Sequence, residues 1–164
     1  MFFKKKSEVM KVGVALPFKT EEKFVSRELY FELSEKYRPY LTEHFKIAEE
    51  IEALYSKLLN QGLLLTSADE LISLCEKDIS ISYILKEYWT LSAPQNKLPR
   101  YNSFVRLAMV YEAQEKYESA IEVCKKSIDL GYILDGTKTK LFGRIQRLSK
   151  KSGIKVDPKY TTEK

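Results

Sequence analysis

Residues 101–134, YNSFVRLAMVYEAQEKYESAIEVCKKSIDLGYIL, hold two amphipathic periods separated by a short polar break. Phe104, Leu107, Ala108 and Tyr111 recur at intervals of three and four, which places them on one face of a helix running to about Ala113. Gln114-Glu115-Lys116 makes a turn. Tyr117, Ala120, Ile121, Cys124 and Ile128 then face back from a second, antiparallel helix. Small residues at Ala108 and Ala120 let the two backbones approach closely. Gly131 can take the left-handed geometry that closes the second helix.

Upstream, Ala93-Pro94-Gln95-Asn96-Lys97-Leu98-Pro99 breaks the pattern and marks the internal boundary. Before it, Glu21 to Tyr37 carries a stripe through Phe24, Leu29, Tyr30, Leu33 and Tyr37, with Thr20 placed as its cap. Pro39 is expected to end or bend that helix. A second helix opens near Thr42, with Phe45, Ile47, Ile51, Leu54, Tyr55, Leu58 and Leu59 on one broad face and Gly62 as its stop. Ser67-Ala68-Asp69-Glu70 matches a capping box opening a helix through Leu71, Ile72, Leu74 and Cys75. Asp78 starts a further helix through Ile81, Ile84, Leu85, Tyr88, Trp89 and Leu91, or the two form one bent helix. Downstream, Leu141, Phe142, Ile145 and Leu148 define a helix near Thr137–Lys151. The expectation is an all-α fold of about six or seven helices. Its organisation is an irregular basic segment at 1–20, helical pairs at 21–93, a hairpin with a closing helix at 100–151 and a basic tail at 152–164.

The hairpin resembles the tetratricopeptide repeat. Phe104, Leu107, Ala108, Tyr111, Ala120, Cys124 and Ser127 fall at that signature's spacings, with Phe104 standing for its tryptophan, Ala108 for its glycine and Cys124 for the later aromatic. The resemblance covers residues 101–134 alone. It implies antiparallel hairpins stacked as a short right-handed superhelix or array, closed by a polar-backed helix at 137–151. It also implies a groove lined by the first helix of the repeat, here Asn102, Val105, Met109, Glu112 and Ala113 with Ile133 nearby. Val105 and Met109 make that face apolar, suited to a helix or hydrophobic segment of a partner. The alternative is that the protein's own amino-terminal helices fill it.

The net charge of +5 is unevenly spread. Residues 1–20 carry +4, residues 21–134 carry −5 and residues 135–164 carry +6. Lys138, Lys140, Arg144, Arg147, Lys150 and Lys151 form a candidate basic patch on the last helix, which could meet phosphates or an acidic partner. Two cysteines and one histidine are too few for a four-ligand Cys/His metal site. No phosphate-cradling glycine loop, nucleophile elbow or CxxC pattern is present. The reading is therefore a cytoplasmic, non-enzymatic chain without a cofactor that binds a protein or peptide. Nucleic-acid association through the basic end and self-association are the alternatives. No run of residues is apolar enough to span a membrane, and the apolar stretch Val12–Phe18 is too short and proline-broken for a signal peptide.

Overall fold

Leu33, Tyr37, Ile47, Ile51, Tyr55 and Leu58 line one side of a single helix, α1 (Arg27–Asn60), in the computed structural model, which describes residues 25–163. α1 corrects the expectation of two helices parted at Pro39. The chain passes through this proline in helical form, about 51 Å from end to end. Proline lacks the N–H that would bond back one turn and costs roughly 3 kcal/mol in a helix interior. Packing offsets that cost here. Pro39 sits on the exposed side, while Tyr37 packs its ring 5.6 Å from that of Tyr88 on the next helix. Ser26 caps α1, accepting a hydrogen bond from the Leu29 amide at 3.2 Å. Thr20, Phe24 and the segment 1–20 lie outside the described residues.

α1 stops where Gly62 was expected to stop it, and α2 (Asp69–Ser92) runs back alongside as one uninterrupted helix. Two pairs set the antiparallel register: Lys36 lies 3.7 Å from Glu87, and Glu43 lies 2.5 Å from Lys77. The expected capping box at Ser67 does not form. Residues 63–67 coil into a tight turn in which the Ser67 amide bonds the Leu63 carbonyl at 2.9 Å. That coiling shifts the cap position to Ala68, whose methyl is buried in the core.

After the proline-flanked loop, α3 (Asn102–Ala113) and α4 (Tyr117–Leu130) form the expected hairpin. Its turn holds Glu115 at φ +58°, and the Lys116 amide bonds the Tyr111 carbonyl at 2.9 Å. Gly131, at φ +95°, closes α4 with the Tyr132 amide bonded to the Ser127 carbonyl at 2.9 Å. α5 (Lys140–Ser152) follows, and its Gly143 lies so close to Thr139 that any larger side chain would overlap it. A short 3-10 turn at Pro158–Tyr160 ends the described chain.

The result is an all-α array of five helices, each packed on its neighbours, with no strand among the described residues. α3 lies at its centre. On one side Phe104, Leu107 and Val110 join a core with Ile51, Tyr55, Leu71, Leu85 and Tyr132. On the other, Val105 and Ala108 join Ala120, Ile121, Cys124, Leu141, Ile145 and Leu148. A third, small cluster of Leu33, Tyr37 and Tyr88 with Leu41, Ile84 and Trp89 belongs to α1 and α2 alone. The amino-terminal half of α1 and the carboxyl end of α2 therefore extend from the body as a two-helix arm. No described helix is long and apolar enough to cross a membrane.

Candidate functional site

The face of α3 expected to form a groove is closed from both sides. Val105, only 1% exposed, is a core residue between α3, α4 and α5. Met109 is half-buried, with the Tyr55 hydroxyl 3.8 Å from its sulfur and an Arg106 guanidinium nitrogen 3.6 Å away. Glu112 accepts from Arg144 of α5 at 3.0 Å. Asn102 is half-buried with its side-chain oxygen lacking a partner among the described residues. Ala113 is exposed at the helix end, and Ile133 is half-buried, its carbonyl bonded to the Leu141 amide at 3.1 Å. These six residues do not share one open surface. α1 covers the Met109 end and α5 covers Val105 and Glu112, so the protein's own helices occupy this face.

α1 holds α3 through Glu52 and Arg106. The carboxylate meets the guanidinium through two parallel hydrogen bonds of 2.9 and 2.5 Å, while the same guanidinium lies 4.2 Å above the Tyr55 ring. The Arg106 hydrogen bonds hold the Glu52 carboxyl below the usual carboxylate range, against an opposing effect of burial.

A second polar anchor sits deeper. Asp78 is fully buried in mid-α2, not at a helix start as its sequence position implied. His44 Nδ1 lies 2.8 Å from its Oδ1, and Ser103 donates to its Oδ2. The Tyr101 hydroxyl donates to the Asp78 main-chain carbonyl at 2.8 Å, and the Tyr101 ring stacks on His44 at 4.6 Å. Burial first, and Asp78 second, push the Tyr101 phenol far above its ordinary range. Ser103 and His44 both approach Asp78, so the arrangement joins three helices. The sequence carried a sign of it: Leu71, Cys75, Asp78, Ser82 and Leu85 follow one helical stripe, which places two polar residues at core positions.

The basic patch is also divided by the fold. Arg144 is nearly buried against Glu112 and lies 3.6 Å from Asp135, and Lys140 pairs with Glu163. Lys138, Arg147, Lys150 and Lys151 remain exposed, with Lys151 set 5.0 Å from the Tyr117 ring. Both cysteines are free and buried, and burial raises each thiol to about 12. No cluster of three or more His, Cys, Asp or Glu able to hold a metal occurs among the described residues.

Large apolar side chains are exposed elsewhere: at the α1–α2 turn (Leu59, Leu63 and Leu65), on α2 (Tyr83 and Leu91) and along the first half of α1. Leu29, Tyr30, Phe31, Tyr40 and Phe45 are all large and exposed on α1. Leu29, Tyr30, Phe45, Leu59 and Leu91 were expected to point inward with the helical stripes and are exposed. The sequence reading missed this surface because Leu33 and Tyr37 already satisfy the period that faces α2. A separate recurrence at seven residues, Phe31 to Arg38 to Phe45, was the available signal. Compared with known protein families, curated proteins and solved structures, the chain matches none.

Proposed function

We propose that this chain is a non-catalytic, cytoplasmic interaction module that contacts another polypeptide through the α1 arm, on a scaffold of tetratricopeptide type. The observation that carries the reading is the pair of large exposed rings, Phe31 and Phe45, that helical spacing sets on one side of α1, with exposed Tyr30 next to Phe31. Exposed apolar side chains grouped on one face mark contact sites. The scaffold assignment draws on the α3–α4 hairpin, in which Ala108 and Ala120 are both fully buried at the helix crossing, and on α5 as a closing helix with a polar outer side. Two free, buried thiols are in keeping with a reducing compartment.

Recovery of the tagged protein from its native cells, with and without nuclease, tests the reading. The expected result is a polypeptide that survives nuclease with the native chain and is lost with Phe31→Ser/Phe45→Ser. Unchanged recovery by that variant would refute the arm as the contact surface. Recovery that depends on nuclease would favour a second reading, phosphate contact through Arg147, Lys150 and Lys151, which rests on their exposed positions along α5.

A further inference from the structure

Phe31, Arg38 and Phe45 lie seven residues apart on α1, and seven residues displace a side chain by only about 20° around a helix. They form one line along the arm, with Ser34, Glu35 and Thr42 beside it. The line is turned away from Leu33 and Tyr37, which α2 covers. Phe31 is 67% exposed, Phe45 60% and the neighbouring Tyr30 51%. Arg38 and Glu35 are also exposed, and pair with each other one turn apart.

Counting outward from Arg38 at the centre of this line, a hydroxyl residue (Ser34, Thr42) stands four residues away and a phenylalanine (Phe31, Phe45) seven residues away on either side, while Glu35 and Leu41 differ at three. We infer that its occupant is a second copy of this chain, with the two α1 helices antiparallel across a two-fold axis at Arg38. The inference rests on the arm being the contact surface and names what meets it. In that arrangement Phe31 of each copy packs against Phe45 of the other. Each Arg38 reaches Glu35 of the facing helix as well as its own, so the charges are satisfied reciprocally, as an isologous contact requires. A parallel arrangement would set Phe31 on Phe31, Glu35 on Glu35 and Arg38 on Arg38, so that each charge meets its like. At about 200 Å² per aromatic side chain, the exposed parts of Tyr30, Phe31 and Phe45 come to roughly 350 Å² per copy. With the polar side chains between them, the two copies together approach the ~1,200 Å² at which specific interfaces begin. The dimer is therefore weak and concentration-dependent.

Sedimentation equilibrium of the full chain between about 1 and 200 µM should show monomer and dimer in exchange. Arg38→Glu and Glu35→Arg should each weaken dimerisation about tenfold or more, and an equimolar mixture of the two should restore it, because each then meets its opposite charge. Circular dichroism of the single variants confirms that the helices persist. A monomer throughout, or a mixture no tighter than its parts, would overturn the inference. Replacing Phe31 by benzoylphenylalanine and irradiating cells separates the occupants. A crosslink to Phe45 or its neighbours in a second copy is the expected product. A crosslink to residues 1–24 of the same chain, or to a different protein, overturns the second copy. The different-protein product leaves the arm as the contact surface, and the absence of any crosslinked polypeptide removes both readings.

Discussion

Replacing Asp78 by alanine tests whether the buried polar anchor holds α1, α2 and α3 together. The carboxyl group accepts from Ser103 and lies 2.8 Å from His44 Nδ1, in a position with no solvent exposure. Truncation leaves two polar groups without their partner, at about 1–3 kcal/mol each when buried. The Tyr101 hydroxyl keeps its 2.8 Å bond, because its acceptor is the main-chain carbonyl. His44 retains 12% side-chain exposure and recovers some hydration, so the total should come to about 3 kcal/mol. That is a large share of the roughly 5–15 kcal/mol by which a domain is stable. Urea unfolding followed by circular dichroism reads it directly, and the melting temperature should fall by about 6–12 °C. The double variant Asp78→Ala/Ser103→Ala removes a donor together with its acceptor, and should cost about 1 kcal/mol less than the sum of the single variants. A loss below about 1 kcal/mol for Asp78→Ala, or additivity within ~0.5 kcal/mol, would refute the anchor.

Pro39→Ala restores the missing amide in mid-α1 and should raise stability by up to about 3 kcal/mol with increased helical ellipticity; a destabilised variant would show that the proline geometry itself is required. Glu115→Gly relieves a left-handed residue at φ +58° and should add about 0.5–1 kcal/mol in the same urea assay, after the greater freedom of glycine in the unfolded chain is subtracted. Cys75 and Cys124, raised from 9.0 to about 12 by burial, should resist a thiol reagent at pH 8 until the protein is unfolded. The stability contributed by these protonated thiols is fully present below the unfolded pKa and is lost as pH rises towards about 12. Rapid labelling of either thiol in the native protein would contradict that burial. Glu52, held below the ordinary carboxylate range by Arg106, contributes stability above the unfolded carboxyl value of about 4.3 and loses it as pH falls through the lower folded value. Glu52→Gln should therefore flatten the acid limb of the stability profile, and an unaltered limb would assign acid sensitivity to other carboxylates.

Met109 shows how a fold changes the meaning of a residue. By spacing it belongs to an open groove, and a charge there would interrupt partner binding. With Tyr55 and Arg106 against its sulfur, the same substitution would place a second carboxylate beside the guanidinium that Glu52 already holds. Its consequence is then loss of the α1–α3 contact, so the exposed Phe31 and Phe45 are the informative positions for binding.

Local patterns determined the elements. The periods through Phe104–Tyr111, Tyr117–Ile128 and Leu141–Leu148, the glycines after α1 and α4, and the proline-flanked break at 93–99 all act within a few residues. Helix formation and termination depend on that short range. What lies between distant elements was decided only in three dimensions. Pro39 continues a helix because Tyr37 and Leu33 meet Tyr88 on α2, and Asp78 is an interior residue because Ser103 and His44 arrive from two other helices. Val105 and Arg144 left the expected surfaces for the same reason: α5 folds across α3, and burial, unlike periodicity, is a property of the neighbour. The sequence by itself determined which stretches are helical, their ends at the glycines and the 93–99 break, and that each has an apolar side, but not that α1 runs through Pro39 or α2 through Asp78. Tertiary packing alone decided which of those sides remained open, and it left Phe31 and Phe45 exposed on the side of α1 turned away from α2.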